Sequence, residues 1–215
     1  MLASDNPAGK TITLNASGLE MMKVRFSGTG TVNTVTLKRL GAGETDDFNN
    51  VYVYDGAKRL VSGKTFSSTS GELTFLLNVA VSGTKDLTFV SEMSSTLNNS
   101  GNVNYIQLMD AVLSGGGSVS GLPLSGNNFT SSGASSGRLD VAKSGVLNDP
   151  TVGQKEALVS EFKLTSNTEA STVKRLTMLN GGTVKGADLT NVKLKTGSTE
   201  WSGTSTSDGY FIFDL

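Results

Sequence analysis

Glu44, Asp46, Asp47 and Asp55 bring four carboxylates into one short stretch of the chain, and clustered carboxylate oxygens are what a calcium ion selects. No Asp-x-Asp-x-Asp-Gly loop arranges them. A structural role competes with ion binding, because the motif recurs: Asp47-Phe48-x-Asn50-Val51 returns as Asp188-Leu189-x-Asn191-Val192. Asp and Asn side chains hydrogen-bond their own backbone where a turn enters a strand, and Phe48 or Leu189 would then plug the core. Calcium is the one cofactor for which the sequence supplies candidate ligands.

Tyr52 and Tyr54 alternate with Val51 and Val53, so a strand here turns the valines inward and both phenol rings outward. With Tyr105 they would form an aromatic face suited to a sugar ring or to another protein. The recurring segment carries Lys193 and Lys195 at the tyrosine positions, so the face belongs to one copy only. Asn-x-Ser/Thr triplets begin at Asn15, Asn98 and Asn128. Each fits a turn as well as a glycosylation acceptor, and Asn98 and Asn128 are the loop candidates.

Catalysis has little to draw on. The chain has no His and no Cys, which removes the usual general base near neutral pH and the most nucleophilic side chain. Gly63-Lys64-Thr65 resembles the tail of a phosphate-binding loop, but Lys58 stands where that loop needs Gly, and no helix is predicted after it. Gly28-Thr29-Gly30 does not match a dinucleotide fingerprint. No enzyme is expected.

The elements that would position these residues repeat. Residues 31–56 align with 172–197 at an offset of 141, with Thr31/Thr172, Val32/Val173, Thr36/Thr177, Gly41/Gly182, Asp47/Asp188, Asn50/Asn191, Val51/Val192 and Gly56/Gly197 identical. Apolar positions agree at Val35/Leu176, Leu37/Met178, Phe48/Leu189, Val53/Leu194 and Leu60/Trp201. After a three-residue deletion the register resumes with Gly71/Gly209, Leu73/Phe211 and Phe75/Phe213. A recurring supersecondary unit is the mark of modular architecture.

Period-two alternation dominates both copies. Ile12 and Leu14, then Val24 and Phe26, then Val32, Val35 and Leu37 mark successive strands, the last with a one-residue slip that reads as a bulge. Val51–Tyr54, Leu73–Val81, Leu87–Val90 and Tyr105–Leu113 follow, and no long helix is predicted. Only 17% of residues are charged, the net charge is −1, and there are 26 Gly. That composition favours strands and turns over helices, and it offers no basic field for nucleic acid. No stretch is apolar for long enough to insert in a membrane as a helix. Residues 1–10 lack a basic-then-apolar signal region. Gly115–Gly137 is rich in Gly and Ser but also holds Val119, Leu122, Leu124 and Phe129, so it reads as a packed connection followed by a short linker. The expected division is a first module over 1–130 and a second over 131–215, opening near Arg138 with Leu139 and Val141 in the roles of Ile12 and Leu14.

The second copy lacks counterparts of Leu87–Met93 and Val103–Leu113. Its Trp201, Phe211 and Phe213 would therefore meet water and act, with Tyr52 and Tyr54, as a contact surface. Either the natural chain continues, or a strand such as Lys10–Leu14 of a neighbouring subunit completes the fold.

The run Leu37-Lys38-Arg39-Leu40, Asp47–Gly56, Leu73-Thr74-Phe75 and Lys85-Asp86-Leu87-Thr88-Phe89, echoed by Glu161–Leu164 and Asp188–Leu194, resembles the immunoglobulin-like modules of large bacterial and archaeal cell-surface, S-layer-type proteins. The resemblance implies an all-β protein of two tandem immunoglobulin-like sandwiches, the second incomplete. It also implies an extracellular structural role in a surface layer, stalk or filament, with the chain itself as partner and no catalysis. An adhesin or carbohydrate-binding module, with glycans as partner, and a viral capsid or tail decoration protein are the alternatives.

Overall fold

A computed structural model describes residues 1–96, 100–114, 119–167 and 170–215. The protein is all-β. Among the described residues, the helical elements consist of short 3-10 turns such as Thr45–Asp47 and Gly186–Asp188.

Two strands of 22 residues each, β2 (Leu19–Leu40) and β5 (Glu72–Met93), run antiparallel along almost their whole length. The sequence places breaks inside both, at Gly28-Thr29-Gly30 and near Lys85-Asp86, yet each strand is continuous. Gly28 faces Gly83 across the ribbon, with φ of +129° and +80°. These angles are open to glycine and closed to most L-residues, so the ribbon bends there without ending. Beyond the bend, different partners join each half. β3 (Phe48–Asp55) adds to the C-terminal part of β5, and β4 (Lys58–Arg59) adds to β3. β6 (Val103–Leu113) adds to the C-terminal part of β2, with β7 (Leu124–Ser125) and β8 (Phe129–Ser135) on its far side. β1 (Thr11–Leu14) closes the order β1-β8-β6-β2-β5-β3-β4 by pairing parallel to β8.

Along β5 the core-facing apolar residues keep odd numbers, from Leu73, Phe75, Val79 and Val81 to Leu87, Phe89 and Met93, and the opposite face is buried too at Thr88 and Val90, where β3 pairs alongside. Along β2 the phase changes twice: Leu19 and Met21, then Met22, Val24, Phe26 and Val32, then Val35 and Leu37. The two changes coincide with register shifts between Glu20 and Met22 and between Val32 and Thr34. Each shift is a bulge that restores the apolar face to the inside. Both halves of the ribbon, with Phe48, Val51, Val53, Ile106, Leu108 and Phe129, line one continuous core.

The second half repeats this framework in pieces. β11 (Arg175–Leu179) pairs with β15 (Tyr210–Asp214), placing Leu176 opposite Phe213 and Met178 opposite Phe211. The first half pairs Val35 with Phe75 and Leu37 with Leu73 at the same register. The hydrogen bond from Arg39 N–H to Gly71 O (2.8 Å) recurs from Asn180 to Gly209 (2.9 Å). β12 (Lys193–Thr196) and β13 (Thr199–Ser202) form the hairpin equivalent to β3 and β4, turning at Gly197 as the other turns at Gly56, both at φ +57°. β14 (Thr204–Ser205) lies on the other edge of β15.

Two expectations about boundaries are corrected. β8 crosses the division at 130/131 and belongs to the first half, since Ser131 is buried and its amide bonds to Asn102 O at 2.8 Å. β9 (Arg138–Lys143) does not take the part of Ile12 and Leu14. It pairs antiparallel with β10 (Phe162–Asn167), Val141 opposite Leu164, as Leu2 bridges Val24 in the first half. Lys10–Leu14 is no free donor either, because Ile12 is 2% exposed and paired within the sheet.

Val51→Asp is expected to unfold the first half, because it puts an unpaired carboxylate at a position 1% exposed. Val192 is only half-buried, so Val192→Asp is expected to cost about 1 kcal/mol. Denaturant unfolding followed by circular dichroism checks both; equal losses would contradict the difference in burial.

Candidate functional site

The acidic stretch resolves into a buried cap and a separate ion pair. Asp47 closes the 3-10 turn that leads into β3 and is 3% exposed. Its Oδ2 accepts the Glu44 backbone N–H at 3.0 Å and the Asn104 side-chain amide at 2.9 Å. Asn104, itself 0% exposed, accepts a hydrogen bond from Arg39 Nη1 at 2.9 Å. Burial lowers the Arg39 pKa, and the charges of Asp47 and Glu44 oppose that shift. Arg39 Nε is buried without a hydrogen-bond partner. The cluster ties the β2 end, the turn and β6 together.

Asp55 is not part of it. It sits at the far end of β3, about 25 Å of strand from Asp47 at roughly 3.3 Å per residue, and its carboxylate pairs with Lys85 at 2.9 Å. Glu44 and Asp46 are exposed. Among the described residues no group of three or more Asp, Glu, His or Cys side chains is placed to hold a metal ion. The proposed set Glu44, Asp46, Asp47 and Asp55 is therefore not one site. In the second copy, Lys185 N–H donates to Asp188 Oδ2 at 3.2 Å, but Asp188 is exposed. The repeated motif is a backbone cap in both copies and a buried one only where β6 covers it.

The tyrosine face has the predicted alternation. Val51 and Val53 are buried, while Tyr52 and Tyr54 are half-buried on the opposite side of β3. Tyr105 does not join them, since it lies on β6 opposite Leu40, beyond the ribbon's other edge. Nor is the face an open stacking platform. Tyr52 OH donates to Glu92 Oε2 at 2.9 Å, and the Arg59 guanidinium lies 5.5 Å from its ring centroid. Burial, reinforced by Glu92, pushes the Tyr52 phenol up to about 12, and burial raises Tyr54 as well. The second half leans on the same edge: Tyr210 OH donates to Arg59 O at 3.0 Å, and Lys58 pairs with Asp208 at 2.6 Å.

Phe211 and Phe213, expected on a contact surface, are buried at 7% and 2% exposure. Trp201 is half-buried opposite Leu194. A Cβ on Gly203 would come within 2.7 Å of the Phe213 ring, so the β13–β14 corner covers it. The uncovered apolar groups are others: Val141 (65%), Val146 (89%), Leu158 (55%), Val159 (57%) and Leu179 (58%).

A cleft of about 490 Å³ opens at the ribbon's bend, lined by Val24, Phe26, Val32, Val81, Leu108 and Leu122 with Arg25 and Thr29 at its polar side. The Arg25 side chain is held by Asp86 through two bonds of 2.7 and 2.6 Å. Among the described residues the cleft's lining is mainly apolar, with the hydroxyls of Ser27, Thr29 and Ser120 and with no carboxylate. Of the glycosylation triplets, Asn15 engages Ser135 Oγ at 3.1 Å, Asn128 is exposed, and Asn98 lies outside the described residues.

Asp47→Ala is expected to destabilise the first half by about 2–4 kcal/mol, because it strands Asn104 and Arg39. Asp188→Ala at its exposed site is expected to cost less than about 1 kcal/mol, and thermal melts of both variants check the ratio. Ultraviolet titration of the phenols should show Tyr52 ionising near 12, and Glu92→Gln should bring it down. The native state holds that proton more tightly than the unfolded chain. Its stabilising contribution is therefore complete below about pH 10 and is lost as pH rises through about 12.

Comparison of the chain with family models, with curated proteins and with solved structures finds no match.

Proposed function

We propose that the chain is a structural component of an extracellular assembly at a cell surface, a layer, stalk or filament of immunoglobulin-like modules, and that it works by presenting edges and faces to neighbours. One observation carries this. The second half reproduces the strand register of the first, yet past Phe129 only Phe211 and Phe213 are buried apolar side chains among the described residues. Nine of the large apolar side chains left exposed, from Leu139 to Leu215, lie in that half. A framework that is well formed but uncovered has its energetic completion outside itself. The extracellular setting rests on the resemblance to surface modules and on the low charge.

A glycan-binding adhesin has less support, because Tyr52 is engaged by Glu92 and Arg59 and the neighbouring edge is covered by Tyr210.

Negative-stain electron microscopy and light scattering of the concentrated protein, with and without calcium, test the proposal. Ordered, concentration-dependent sheets or filaments that persist in the Tyr52→Ala/Tyr54→Ala variant are expected. Dispersed particles that bind glycans saturably, with binding lost in that variant, would overturn it.

A further inference from the structure

The first half contains a template for the open edge of β11. There the C-terminal part of β2 is a central strand, with β5 on one edge and β6 on the other. Across the β6 edge Val35 faces Ala111, Thr36 faces Asp110 and Leu37 faces Leu108. Val35 and Leu37 are 0% exposed. β11 reproduces this strand and keeps β15 in the place of β5, but β11 is terminal in its sheet. Its inward residues Leu176 and Met178 stay half-buried.

Backbone hydrogen bonding is equally one-sided. Asn180 N–H donates to Gly209 O and Leu215 N–H to Lys174 O, both at 2.9 Å. That parity makes Leu176/Phe213 and Met178/Phe211 the hydrogen-bonded pairs, so the amides of Arg175, Thr177 and Leu179 point away from β15. A row of outward donors and acceptors beside a half-covered apolar stripe accepts a strand.

We propose that this edge of β11 receives a further antiparallel strand with the chemistry of β6. It places a small apolar side chain opposite Leu176, a large one opposite Met178 and an acid opposite Thr177. Arg175, exposed on the same outer face as Thr177, already pairs with Asp214 at 2.5 Å, so an incoming acid there would share that guanidinium. The donor is not a folded second copy, because β6 is itself paired to β2, β7 and β8 and its Leu108 is 0% exposed. One position differs from the template. A Cβ on Gly43 would overlap the Asn104 amide, and the aligned residue in the second half is Val184, 50% exposed. The incoming strand therefore has no buried Asn at that level, and the matching probe begins at Tyr105.

The test adds a synthetic peptide, Tyr105–Leu113, to the full chain and follows amide hydrogen exchange. One-to-one binding with about tenfold slower exchange at Arg175, Thr177 and Leu179 is expected. A peptide carrying L108D should not bind. Thr177→Pro removes one outward N–H and leaves the bonds to β15, so it should abolish binding while the exchange of Leu176 and Met178 is kept. Should that variant not fold, the L108D peptide control still decides. Equal binding of both peptides, or no protection at β11, would overturn the proposal. Protection of the same amides in the chain alone that vanishes on dilution would assign the edge to a second copy and overturn the donor chosen here.

Discussion

Everything in the first half hangs on the continuity of one antiparallel ribbon. β2 and β5 exchange backbone hydrogen bonds on both sides of their bend, and β6 and β3 each add to an outer edge of this pair, carrying the remaining strands with them. A ribbon of this length can have one apolar face only if its pleat stays in phase with its side chains, because a single-residue slip would turn every Val and Leu outward. The bulges after Glu20 and Val32 remove the two slips that the sequence contains. The bend at Gly28 and Gly83 then lets the two ends of that face serve one core. Bulges, bend and core are thus three expressions of one phase condition.

The same condition explains why the second half looks unfinished. Its counterpart of β2 is divided into β10 and β11, and the two pair with different strands. With no ribbon running through, three small sheets form in place of one large one. Register survives locally, since it depends on neighbouring pairs such as Leu176 and Phe213. Burial does not, since it depends on strands that come from far along the chain.

What could be read from residues alone follows that division. Alternation placed Val51 and Val53 inside and both tyrosines outside, the slip after Val32 marked its bulge, and the repeat alignment matched residues that hold equivalent places in the two halves. Local chemistry carries all of these. The ribbon's continuity was hidden, because Gly-Thr-Gly reads as a turn unless the opposing glycine is known. The Asp47 cap was legible as a motif, but its burial was not. That depends on Asn104, 57 residues away, which no periodicity connects to it. The carboxylates scattered for the same reason: closeness in sequence along an extended strand is distance in space. Phe211 and Phe213 were misjudged because a corner at Gly203, not a missing strand, covers them.

Gly43 and Val184 have a meaning for folding as well as for the finished fold. Tandem copies of one unit are prone to trade strands while both are still unfolded, and such exchanged structures are persistent traps. β6 could in principle settle on β11, whose pattern it fits, before it reaches β2. With Asn104 included it fits only where residue 43 has no side chain. Gly43 leaves room for the Asn104 amide, whereas the aligned position in the second half carries Val184, so the two copies differ as acceptors of the full β6 strand.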